Sequence, residues 1–69
     1  MNKVLIFNLS NPELVAISVL NVGGEMIFNL SNNEREAMLF DSQDIAIDFM
    51  ISIGLDSSFY GTRPPRKPK

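Results

Sequence analysis

Residues 41–54, DSQDIAIDFMISIG, form the one stretch of this chain whose start, interior and stop all specify the same structure. Asp41 or Ser42 can cap a helix N-terminus, and Asp44 puts negative charge in the first turn, where the helix dipole is positive. Gly54 supplies a left-handed residue just past the end. At about 100° per residue, Ile45, Ala46, Phe49, Met50 and Ile53 share one face, while Asp44, Asp48 and Ser52 share the other. A helix with so wide an apolar face needs a sheet to lie on.

The strands of that sheet are sought upstream, where the hexapeptide IFNLSN occupies residues 6–11 and recurs at 27–32, an offset of 21. Glu13 and Glu34, and Ala16 and Ala37, stay in step with it. Each copy reads as a strand entering a four-residue turn, 10–13 or 31–34, that opens a returning strand. Strands are then expected at 3–9, 14–21, 25–30 and 35–40, two tandem hairpins joined through Gly23 and Gly24. The expected fold is α+β: a small four-stranded antiparallel β-meander with one α-helix packed on one face. A rival reading takes Ser10 with Glu13, and Ser31 with Glu34, as capping boxes, giving β-α-β-α-α. The alternating β-branched Val15, Ile17 and Val19, and the lack of a polar face across this segment, favour the strand.

Strand alternation then sorts the side chains. Leu5, Phe7, Leu9, Val15, Ile17, Val19, Met26, Phe28, Leu30, Met38 and Phe40 are expected under the helix. The opposite face carries Ile6, Leu14, Leu20, Ile27 and Leu39, together with Ala16, Asn8 and Asn29. Ile47 and Ile51 lie outside the main apolar arc of the helix. Contiguous exposed apolar surface marks an interaction site, so Ile6, Leu14, Leu20, Ile27, Leu39, Ile47 and Ile51 are the candidate partner-binding residues. The partner is expected to be another protein or a second copy of the chain in a homodimer.

Composition narrows the chemistry. Sixty-nine residues allow one domain, placed at 1–61, with a small core and no disulfide to reinforce it. The chain has no cysteine and no histidine, which removes the usual zinc, haem and iron–sulfur ligand patterns, the commonest general base and the thiol nucleophile. No enzyme activity, cofactor or small-molecule substrate is expected. Asp41, Asp44 and Asp48 lie within reach of one helical surface but read as capping and solvated charge, not as a cation site. The apolar runs are too short for a signal peptide or a membrane span, which points to a cytoplasmic protein.

After Leu55 the composition changes. Phe59 and Tyr60 read as a last aromatic anchor, and residues 62–69, with three prolines and four cations, read as a flexible tail. Residues 1–62 hold eight carboxylates against Lys3 and Arg35, a balance of −6; Arg63, Arg66, Lys67 and Lys69 return +4. The leading functional expectation is a non-catalytic protein–protein interaction module, such as a regulator or inhibitor of a larger enzyme of the kind phages and mobile elements encode. The alternative is a nucleic-acid-binding accessory protein that uses Arg63, Arg66, Lys67 and Lys69 on phosphates.

Overall fold

The computed structural model describes residues 3–66. Its elements are β1 (Leu5–Asn8), β2 (Val15–Val22), β3 (Glu25–Ser31), a 3-10 turn at Glu34–Glu36, α1 (Gln43–Ser52), a second 3-10 turn at Ser57–Phe59, and β4 (Tyr60–Arg63). The strands form one antiparallel sheet in the order β3-β2-β1-β4. This is the expected α+β class, but the sheet is not a pure meander.

The helix forms where its end signals lie. The Ser42 side chain caps it by accepting from the Ile45 N–H at 3.2 Å. At the other end Gly54 turns left-handed with φ of 81°, its N–H donates to the Ile51 carbonyl, and the Leu55 N–H donates to the Met50 carbonyl. These two bonds satisfy carbonyls that the helix would otherwise leave open. Ala46 and Met50 are fully buried against Ile6, Ala16 and Phe28, with Phe49, Ile53 and Ile47 packed alongside. Ile45 sits at the exposed margin, and Ile47 belongs to the core side that the helical wheel denies it.

The fourth strand is not residues 35–40. Beyond Ser31 the chain bends: the Ser31 hydroxyl accepts from the Asn33 N–H, and the Asn33 side chain accepts from the Arg35 N–H, so a 3-10 turn forms in place of a hairpin. The first repeat cannot do the same, because Pro12 stands where the second copy has Asn33 and brings no N–H. There Asn8 makes the turn instead, accepting from Ser10 at 2.7 Å and Asn11 at 3.2 Å. Residues 38–40 do become extended, but they lodge in the fork where β1 and β2 diverge. Met38 donates to the Ala16 carbonyl at 2.9 Å, and Phe40 exchanges both backbone bonds with Val4 at 2.8 Å.

The fourth strand is β4, which adds on the other edge of the sheet, beside β1: its Tyr60, Gly61, Thr62 and Arg63 pair with Asn8, Phe7, Ile6 and Leu5, and no strand among the described residues takes the place beside β3. The start of the expected tail, Thr62 and Arg63, is therefore sheet, and Pro64 ends it. Tyr60 closes the core edge-on to Phe28, with ring centroids 5.1 Å apart, whereas Phe59 stays exposed.

The face assignments need one correction of wide reach. Val4, Ile6, Ala16, Val19, Phe28 and Leu30 face α1, while Leu5, Phe7 and Val15 face the other way. Phe7 lies level with Val15 and, through it, with Ser31, 24 positions on, whereas the repeat puts its counterpart Phe28 only 21 positions on. The difference of three is odd, and an odd step turns a side chain to the opposite face. The two copies of IFNLSN therefore present opposite faces: Ile6 is wholly buried and Ile27 is exposed. A bulge between Ala16 and Ser18 makes the same inversion within β2, letting Ala16 and Val19 both point at the helix.

Candidate interaction surface

The sheet face away from α1 divides into two halves. At the end carrying Leu5, Phe7, Val15 and Arg63, the chain leaving β3 crosses over β2 and β1 to bring Glu34 to Arg63 on the far edge. The Glu34 Oε1 and Arg63 Nη2 atoms are 2.6 Å apart, with both side chains about one-fifth exposed (22% and 21%). The Arg66 N–H donates to the other oxygen of the same carboxylate. The Arg63 guanidinium stands 5.7 Å from the centre of the Phe7 ring. That ring packs against Gly61, where an added Cβ would come within 2.5 Å of the Phe7 Cζ. Leu5 and Val15 are completely buried at this end of the sheet, on the face that α1 does not cover. The hydrogen bond from Arg63 holds the Glu34 carboxyl below its usual range, against the opposing effect of burial and with further help from the Arg66 N–H.

Among the described residues nothing covers the other half of this face. Leu20 and Ile27 are direct cross-strand partners and are 43% and 41% exposed; Val22, on the same face one step along, is 58% exposed. Ser18 and Asn29 form the next pair on that face, and Glu25, opposite Val22, ends it. Directly opposed aliphatics stand close enough to act as one patch.

Beside the patch runs the β3 edge, and its hydrogen-bonding capacity follows from the fork. Ala16 turns its carbonyl away from β3, toward Met38, so its cross-strand partner Leu30 turns its own backbone groups outward. By alternation Phe28 and Met26 do likewise, leaving a row of outward N–H and C=O groups. A groove of about 410 Å³ borders this edge, between residues 24–27 and residues 53–55 beyond α1.

Of the residues singled out from the sequence, Leu20 and Ile27 come together in this patch. Ile6 does not belong to any open face; it is buried under the helix for the reason of register given above. Leu14 is half-buried in the turn before β2, and Ile47 is half-buried against the core. Leu39 (50% exposed) and Ile51 (63% exposed) are open but apart from the Leu20–Ile27 pair in the fold. Val22 belongs to the patch and was not among the candidates; its β-branched side chain beside Gly23 and Gly24 was the available signal. Of the cations, Arg63 is held by Glu34, the Arg66 side chain is exposed, and Lys67 and Lys69 lie outside the described residues. Asp41 pairs with Lys3, and among the described residues no three acidic side chains gather as a metal site would require. No helix among them is long and apolar enough to cross a membrane.

Comparison of the chain with protein-family models, with curated proteins and with solved structures gives no match.

Proposed function

We propose that this chain is a non-catalytic protein-interaction module, of the size and character of a small regulator or inhibitor of a larger protein, and that it binds through the bare half of the sheet. The observation that carries this reading is the pairing of Leu20 with Ile27, two large aliphatics exposed face to face with Val22 beside them. A small chain does not keep such a patch in water without cost, since each aliphatic contributes roughly 1.5 to 3 kcal/mol when fully buried. At the other end of the same face Leu5 and Val15 are completely buried, so the exposure of Leu20, Val22 and Ile27 is local to this half.

The alternative reading, phosphate binding by the C-terminal cations, has less support: Arg63 is committed to Glu34 and the Phe7 ring, and the body of the chain carries −6. The test is the double substitution Leu20→Lys with Ile27→Lys, checked for retained fold by circular dichroism. It should abolish both apolar-dye binding and association with protein, whether self or other. A folded double variant that associates as the wild type does would end the proposal.

A further inference from the structure

We propose that the partner on this surface is a second copy of the chain, joined by antiparallel pairing of β3 with its twofold mate, centred on Phe28. The proposal rests on the interaction reading above and names its occupant.

Three observations on the β3 edge support this: the first calls for a strand, and the other two fit a second copy. First, the groups that need partners are backbone N–H and C=O at Met26, Phe28 and Leu30, and only another extended strand can satisfy them in sequence. Second, the strand is self-complementary in one register. With Phe28 opposite its twin, Met26 falls opposite Leu30 of the other copy on both sides of the axis, so all three outward residues of each chain enter hydrogen-bonded pairs, six bonds in all. Centring on Ile27 or Asn29 would keep two of the three outward residues of each chain paired, four bonds, and centring on Met26 or Leu30 only one, two bonds, because the rest run past the ends of β3 at Glu25 and Ser31. Third, the register settles the charges. Glu25, the one charged residue on β3, falls opposite Ser31 and not opposite its own twin, so the acidic bodies meet without a like pair at the contact.

The same register joins the apolar patches. On the bare face Ile27 stands directly opposite Asn29 of the second copy, and the two Ile27 side chains become diagonal neighbours across the axis, about 7 to 8 Å apart at Cα and within reach of each other. Two Leu20–Ile27 pairs thereby become one apolar strip over a continuous eight-stranded sheet, in which β4 of each copy forms the outer edge. An isologous contact of this kind closes on itself and leaves no strand edge of β3 to propagate.

The chain has no cysteine, so its register can be read by cross-linking without background. Ile27 and Asn29 of opposite copies form a non-hydrogen-bonded pair, with Cα atoms about 4.5 Å apart, inside the disulfide range. The double substitution Ile27→Cys with Asn29→Cys, oxidised at micromolar concentration, should give a covalent dimer on a non-reducing gel. Asn29→Cys alone should give at least tenfold less, because its twin is only a diagonal neighbour. The wild type should sediment as a dimer, with exchange at the Met26, Phe28 and Leu30 amides slowing as concentration rises, while Ile27 and Asn29 stay protected throughout. A wild-type dimer with no such cross-link and fast exchange at those three amides would overturn the β3 register while leaving the interaction reading intact. A wild-type monomer at 100-fold higher concentration (on the order of 100 μM) that still binds dye at Leu20 and Ile27 would overturn self-pairing in favour of a heterologous strand. A monomer that binds neither would overturn both.

Discussion

The inversion of the two repeat copies can be tested by one substitution made twice. Ile6→Ala and Ile27→Ala delete the same atoms from the same hexapeptide, so their effects on the unfolded chain are nearly equal and the folded context decides the difference. Ile6 is 0% exposed and packs with Ala16, Phe28, Ala46 and Met50, a site closed on every side by sheet and helix. Truncation there forfeits the transfer energy of the side chain and leaves a cavity, about 2 to 5 kcal/mol. Ile27 is 41% exposed on the bare face, so truncation forfeits roughly half of a full burial, ~1 kcal/mol, and leaves no cavity. Urea denaturation followed by far-ultraviolet circular dichroism measures both. At an m-value of about 1 kcal/mol/M for so short a chain, a gap of ~2 kcal/mol separates the two midpoints by ~2 M. With a net stability of only about 3 to 5 kcal/mol for a core this small, a cost at the upper end of the Ile6→Ala range would leave the chain largely unfolded before urea is added, which itself separates it from Ile27→Ala. Repeating the titrations at two protein concentrations removes any contribution from association. Equal costs for the two substitutions would refute the register that sets Phe7 level with Ser31.

The Glu34–Arg63 contact makes a pH prediction with a definite sign. The folded carboxyl is held below its ordinary value of 4.5, so its stabilising effect is fully present above that pH and drains away as pH falls through the depressed folded value. Wild type and Glu34→Gln should therefore differ near neutrality and converge in acid; parallel stability curves across that window would contradict it. Gly61→Ala should destabilise by about 1 to 3 kcal/mol, because the new Cβ displaces the Phe7 ring from its seat and from beneath Arg63, and Phe7→Leu on the same background should recover part of the loss. Truncation locates the end of the domain. Deleting residues 64–69 should leave the melting temperature within a few degrees of wild type, whereas deleting 60–69 removes Tyr60 and all of β4 and should unfold the chain.

The helix was legible because its signals are local. Ser42, Asp44 and Gly54 act on neighbours within a turn, and those contacts form whatever the rest of the chain does. The strands at 14–21 and 25–30 were legible from β-branched alternation around Gly23 and Gly24. The fourth strand was hidden by two misleading cues. The repeat implied that residues 35–40 should return as 14–21 do, but a single difference, Pro12 against Asn33, sends the two turns different ways. Pro64 and Pro65 made their neighbours look like a tail, although a proline just past Arg63 is compatible with an edge strand. The side-chain faces were least legible, because alternation fixes which residues share a face within a strand but not which face is covered. That depends on the register between strands, set here by a six-residue loop from Asn8 to Val15 and by a bulge at Ile17. The candidate site inherited this error at Ile6 and escaped it at Leu20 and Ile27.

The two edges of the sheet are not equivalent, and the difference is the reason β3 is the edge proposed for pairing. β4 has four residues, is followed at once by Pro64, and carries Arg63 pinned to Glu34, with the Arg66 N–H bound to the same carboxylate. Shortness, an adjacent proline and a charge at the rim are the ordinary means by which a strand is kept from pairing with another chain. β3 has seven residues, no proline, no bulge of its own and one charge at its extreme end. A sequence that guards one edge and leaves the longer, more apolar one open presents that edge for pairing. The bulge in β2 assists, since by restoring Val19 to the helix side it commits Leu20 and Val22 to the bare face, beside the open edge. In the proposed pairing, edge and patch act together: backbone bonds fix the register of the strand that pairs there, and Leu20, Val22 and Ile27 supply the apolar area that makes the pairing hold.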